Sequence, residues 1–238
     1  MNIITRIAAG AALVLGLASC GFDSSNNALL YNYTTMGFVK NGGTQIDTDE
    51  GTVFNIVDIA GTGKLDTIKR VVVLCDVLRA TENKTNEYDV NIRDFERVEL
   101  LNAVRTRDLD PEKVGTDIAD LRQCWYEGGY LNFLIAHLEK DSKAIHDINI
   151  EYNDVKSNAD TLYFQVRHNA NGDKPANGDD VKNFTLKGGY FSVEARQYKP
   201  APDNPIKITV EWDWYPTTGA GYTDVSQVMH KKSTLTTK

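Results

Sequence analysis

The chain is short of the residues that mark the common catalytic folds. Only four histidines, three cysteines and six prolines occur in 238 residues. None of them falls in a Gly-x-Ser-x-Gly elbow, a His-Glu-x-x-His helix or a phosphate-binding loop, so the usual signatures of serine hydrolases, zinc proteases and nucleotide-binding enzymes are missing. No two cysteines stand in a Cys-x-x-Cys spacing, which removes the common redox motif. Positive charge is in deficit: 26 Lys and Arg stand against 33 Asp and Glu, for a formal net charge of -7. A field of that sign repels phosphate backbones, so nucleic acid is not an expected partner. There is also no apolar run of the roughly 20 residues that a membrane-spanning helix needs.

What the start of the chain does contain is a secretory pattern. One positive charge at Arg6 precedes an apolar run over 7–17, and small residues follow at Ala18 and Ser19. Leu17-Ala18-Ser19-Cys20 resembles the bacterial lipobox, whose cysteine is acylated and becomes the first residue of the mature protein. The expectation is a cleaved lipoprotein signal peptide over 1–19, then a lipidated leash over 20–28, mostly small and polar. Each buried CH₂ contributes about 0.8 kcal/mol, so several acyl chains on Cys20 hold a soluble domain on a membrane far more firmly than one. Gly21 stands where an aspartate would retain a lipoprotein at the inner membrane, so the outer membrane of the cell envelope is the expected location, with the leaflet open.

From Leu29 the pattern becomes one of short strands. Val71-Val72-Val73-Leu74-Cys75 is so continuously apolar that both faces of its strand are expected to be covered. Tyr88, Val90 and Ile92 alternate with Asp89, Asn91 and Arg93, the period of a half-buried strand. Five or so such strands, punctuated by Gly42-Gly43 and Gly51, suit a small OB-like β-barrel over 29–107. Asp110-Pro111-Glu112 reads as a helix start that Gly115 ends at once, which places a linker at 108–116.

Period-two alternation returns at Ile148–Tyr152, Leu162–Val166, Phe191–Ala195 and Ile206–Trp214 and predicts an antiparallel β-sandwich over 117–238. The polar end from Lys231 to Lys238 reads as frayed. The whole chain is thus expected to be all-β.

Several residues invite a functional reading, each beside a plainer one. Tyr31, Tyr33, Phe38 and Phe54 have the placing of barrel aromatics that bind oligomers, but they fit core better. Asp47-Thr48-Asp49-Glu50-Gly51 lacks the full calcium-loop spacing and reads as a solvated turn. Cys75 and Cys124 are the one pair left for a disulfide, although the apolar strand around Cys75 favours two separate buried thiols. Trp125, Tyr126 and Tyr130 flank Gly128-Gly129, an aromatic group that a partner could approach, or a glycine-permitted hairpin locked by Tyr130 and Asn132. His146 and His168 lie in phase with the apolar faces of their strands, so neighbouring strands can bring them together. They are the weak candidates for a metal; strand-end caps are the plainer reading, and no metal or cofactor is expected.

Gly115-Thr116-Asp117-Ile118, Gly128-Gly129-Tyr130-Leu131-Asn132 and Arg167-His168-Asn169-Ala170-Asn171-Gly172-Asp173 together resemble the NigD-like proteins of Bacteroides and relatives. Gly37 and Asp49-Glu50-Gly51-Thr52 extend the likeness into the first half. That resemblance implies a lipoprotein with an OB-like N-terminal domain, a C-terminal β-sandwich and an immunity-type role, and it implies no catalytic residue. The function expected is therefore a membrane-anchored, non-catalytic binding or accessory module, whose partners are the membrane through Cys20 and an envelope protein or small ligand. A glycan- or peptide-processing enzyme is the alternative, because a glycosidase needs only two carboxylates placed by the fold. A structural or adhesion component is the third.

Overall fold

The alternating stretches fold as strands. In the computed structural model, which describes residues 30–61, 63–177, 180–199, 204–215, 217–218, 221–222 and 228–237, the chain divides into two units between Glu99 and Leu100. The signal-like segment, Cys20 and the leash lie outside the described residues. Among the described residues no helix is long and apolar enough to cross a membrane.

The first unit contains β1 (Leu30–Lys40), β2 (Gln45–Thr48), β3 (Val53–Ile59), β4 (Arg70–Ala80) and β5 (Glu87–Leu101), the last two residues of which fall in the second unit. The strands run in the order β3-β2-β1-β4-β5, and β3 pairs in parallel with β5 from Val53↔Glu87 to Ile59↔Ile92. That last ladder closes the sheet into a five-stranded barrel with OB topology, which leaves no free edge. Ile46, Val71, Val73, Cys75 and Val90, each 0% exposed, form its core, and Leu65 from the β3–β4 connection is buried with them. Val72 between them is 3% exposed, so β4 is covered on both faces as its apolar run requires. Gly37 is fixed by close approach: a Cβ there would stand 2.4 Å from the Asp47 carbonyl oxygen of β2. Of the four loose aromatics, Phe54 is core and Tyr33 meets it edge-on at 6.0 Å, whereas Tyr31 is 62% exposed and is not core.

The second unit starts with β6 (Val104–Arg105) and the single helical turn α1 (Pro111–Val114). Asp110 caps that turn by accepting from the Glu112 amide at 3.2 Å, and Gly115 ends it at φ 73°. Residues 108–116, expected as a linker, are built into this unit: Asn169 Nδ2 donates to the carbonyls of Glu112 and Lys113 at 3.2 and 3.3 Å. Those bonds satisfy carbonyls that so short a helix leaves free.

Next come β7 (Asp120–Glu127), β8 (Tyr130–Glu139), β9 (Asp147–Tyr152), β10 (Thr161–Asn169), β11 (Thr185–Glu194), β12 (Lys207–Trp214), β13 (Thr217–Thr218), β14 (Gly221–Tyr222) and β15 (Met229–Thr236). Strands β11-β8-β7 form one layer and β15-β12-β10-β9-β6 the other, with β13–β14 a separate hairpin. Leu131, Phe133 and Ile135 of β8 pack in one core with Ile148 and Ile150 of β9 and with the inner row of β10, as expected of a β-sandwich.

Two further features depart from the sequence expectation. The sandwich is not wholly antiparallel, because β10 and β12 pair in parallel from Thr161↔Lys207 to Gln165↔Glu211. The chain between them passes through β11 in the opposite layer, and such a crossover permits parallel neighbours. Residues 231–237 are not frayed: β15 pairs with β12 over eight residues, Leu235 packs on the core, and the Thr237 amide donates to the Ile206 carbonyl at 2.9 Å. Their lysines and threonines suit an edge strand, where polar side chains discourage further pairing.

Candidate functional site

The apolar interior of the sandwich ends in histidine. Side chains two residues apart share a strand face, so His137 continues the inner row Leu131-Phe133-Ile135 of β8, His168 continues Leu162-Phe164-Val166 of β10, and His146 precedes Ile148-Ile150 of β9 in phase. The three rings meet where the core stops. His146 Nδ1 and His168 Nε2 are 2.9 Å apart, with the ring centroids separated by 5.2 Å and the planes within 18°. His137 stacks on His146 at 4.4 Å and stands 5.1 Å from His168. His168 is 2% exposed, and the His146 side chain 3%.

Each outer nitrogen of the facing pair has an acceptor. His168 Nδ1 lies 2.9 Å from the Ile118 carbonyl, and His146 Nε2 lies 3.1 Å from Asp173 Oδ2. The same Asp173 oxygen accepts the amides of Lys140 and Asp141 at 2.9 and 3.1 Å, tying the turn after β10 to the end of β8. His137 Nε2, by contrast, is buried and has no hydrogen-bond partner. Burial and then the neighbouring imidazoles push His137 down to about 4, and burial also lowers His168, so His137 is neutral at physiological pH. Although burial alone would raise it, the Lys140 amide, His146 and the Asp141 amide hold Asp173 below the ordinary carboxylate range.

Beside the cluster lies a cavity of about 260 Å³ lined in part by Asp117, Leu138, His168, Asp173, Lys174 and Tyr215. Its charged side chains answer one another. Asp117 accepts from Lys174 Nζ at 2.6 Å and from the Ala170 amide at 3.0 Å, and Asp213 accepts from His230 at 2.9 Å when that ring presents its Nδ1–H.

The structure thus joins His146 and His168, the two histidines singled out in the sequence, and adds His137 and Glu139, which sequence reasoning missed. Both lie in phase with Phe133 and Ile135, but His137 is embedded in a run read simply as buried strand. Trp125, Tyr126 and Tyr130 do not make one surface. Tyr126 packs against the sandwich core, while alternation places Trp125 and Tyr130 on the other face, since Trp125↔Asn132 and Glu127↔Tyr130 are paired. Arg196 lies 5.5 Å over the Tyr130 ring, and it locks the hairpin by donating from Nη2 to the Gly128 carbonyl at 2.7 Å. Gly129 sits at φ 88°, in the left-handed region that favours glycine, and the Arg196 guanidinium packs where a Cβ would stand.

The other candidates resolve as structure. Cys75 and Cys124 are free thiols in separate units, so the possible disulfide is not formed; burial pushes Cys75 up to about 12 and raises Cys124. The acidic turn is a bonded junction and not a solvated loop: Asp49 pairs with Arg70, and Glu50 Oε2 accepts from Thr35 Oγ1 at 2.6 Å.

Residues 102–219 match the family described as the NigD-like C-terminal beta sandwich domain. Among solved structures, the chain is similar to a NigD-like immunity protein from Bacteroides caccae, with 16% identity and a TM-score of 0.59 over 86% of this chain and 91% of that one. It is similar to a protein of unknown function from Bacteroides vulgatus, with 16% identity and a TM-score of 0.63 over 89% and 92%. A candidate lipoprotein from Bacteroides fragilis aligns with 13% identity and a TM-score of 0.57 over 86% and 97%. At these identities the likeness shows the shared fold. No curated protein matches the chain.

Proposed function

We propose that this chain, which belongs to the NigD-like family with its second unit as the family's β-sandwich domain, is a lipid-anchored, non-catalytic binding module of the bacterial cell envelope, of the immunity type. What favours binding over chemistry is the pairing of charges around the sandwich-end cavity. Asp117 is engaged by Lys174 and a backbone amide, and Asp173 by two amides and His146. Groups already bonded to one another shape a surface and hold it still, as a binding face requires. The proteins of the same fold from Bacteroides caccae and Bacteroides fragilis are described as an immunity protein and a candidate lipoprotein. The lipobox-like Cys20 supplies the tether, with the outer membrane as the expected site.

Affinity capture from detergent-solubilised envelope fractions tests this reading. The full chain is expected to recover one specific envelope protein, and Lys174→Glu, which sets two acids against each other at the cavity, is expected to reduce that recovery. Consumption of a glycan or peptide by the purified protein would overturn it in favour of an enzyme. Self-assembly with no partner recovered would overturn it in favour of a structural role.

A further inference from the structure

The hydrogen positions in the histidine cluster can be counted. Ile118 O and Asp173 Oδ2 are acceptors, so the nitrogens facing them, His168 Nδ1 and His146 Nε2, must carry the protons. A neutral imidazole has one N–H. With both rings neutral, each spends its one proton outward, and the two inner nitrogens, His146 Nδ1 and His168 Nε2, face each other as lone pairs across 2.9 Å; a second proton or a cation between them makes the contact attractive. Two lone pairs at that distance repel unless something positive lies between or beside them. Above them His137 Nε2 is buried and unpartnered. His137, Glu139 and His146 each offer one ligand atom, all within 4.8 Å of one another.

From this geometry we infer that His137, Glu139, His146 and His168 form a site for a divalent transition-metal ion of the zinc class. Ligand atoms around a tetrahedral zinc with bonds of about 2.0–2.1 Å stand about 3.3 Å apart, close to the spacing of the facing pair; His168, which lies outside the group of three, supplies the fourth ligand from Nε2 once its ring shifts toward the others. The outer bonds are the arrangement that metal-binding histidines use: a carboxylate or carbonyl takes the distal N–H, fixes the tautomer and turns the other nitrogen toward the ion. Asp173 and Ile118 O do this for His146 and His168. Glu139 supplies the anionic ligand, and its contact with Lys187 Nζ, at 4.0 Å, is loose enough to give way. Nitrogen-rich ligation in a nearly enclosed site favours zinc, nickel or cobalt over calcium or magnesium, which prefer oxygen.

Titration calorimetry of Zn²⁺ alone into the purified, metal-stripped full chain tests the inference. One equivalent is expected to bind at micromolar dissociation constant or tighter, with Mg²⁺ and Ca²⁺ giving no comparable heat. Affinity should fall at least tenfold in His137→Gln and in Glu139→Gln, the latter an isosteric change at a side chain 17% exposed, with circular dichroism checking that both variants fold. His230→Gln, at an exposed histidine outside the cluster, should leave it unchanged. Zinc should also raise the melting temperature reversibly with chelator. Absence of one-to-one binding, or binding that survives both cluster substitutions, overturns the site and means that a shared proton bridges the two rings. Partner capture does not depend on this outcome, so failure of the metal site and failure of the binding role are separable.

Discussion

Arg70 and Asp49 form a two-pronged ion pair in the first unit. Nη1 donates to Oδ1 at 2.9 Å and Nη2 to Oδ2, with side-chain exposures of 0% for the arginine and 5% for the aspartate. The guanidinium also lies 4.6 Å over the Phe38 ring. The pair ties the β2–β3 turn to the start of β4, 21 residues away. Removing one partner of a buried pair strands the other charge, so Asp49→Ala should cost about 3–5 kcal/mol in urea unfolding, while Asp49→Leu with Arg70→Met should recover most of that loss. A single substitution costing well under 1 kcal/mol would show that water reaches the site.

Cys75 and Cys124 should behave as two unlinked thiols, the first buried and the second half-buried. With Cys20 replaced by serine, a thiol reagent should titrate two groups in denaturant and react only slowly with the native protein, because burial raises both and depletes the nucleophilic thiolate. A mass two units lower with no titratable thiol would mean a disulfide after all.

The strands were legible because a half-buried sheet writes its period into the sequence; Ile148-Ile150 and Leu162-Phe164-Val166 are inner rows in the structure as their alternation requires. Pairing across the sequence was not. The Arg70–Asp49 contact, the parallel β10–β12 ladder and the docking of α1 against Asn169 depend on closures that no local pattern encodes. The histidine site was half legible: His146 and His168 showed themselves by phase, but His137 was hidden in a strand whose neighbours are all buried. The polar end from Lys231 misled because an edge strand and a frayed tail share a composition.

Lipid attachment should rest on Cys20 alone. Cys20→Ala is expected either to move the protein from the membrane pellet to the soluble fraction or to leave it unprocessed, since the chain loses the acyl groups and, among the described residues, has no spanning helix to replace them. A correctly processed Cys20→Ala protein that stays tightly membrane-bound would remove the lipoprotein assignment.

Glu96 should make the first unit less stable as pH rises from about 4.5 to about 7. Its carboxyl is raised to about 7 from an ordinary value of 4.5, first by burial and then by Asp94, which alternation places on the same face of β5. Between those two values the folded chain holds a proton that the unfolded chain has released, so stability falls with increasing pH across the window and the full penalty is present above 7. The side chain is only half-buried, and solvent screening reduces the effect to about 1 kcal/mol. Glu96→Gln cannot ionise and should therefore melt at higher temperature than the parent at pH 8, by about 2–4 °C, and at nearly the same temperature at pH 4. Equal melting of the two proteins at both pH values would show that Glu96 ionises freely in the folded state.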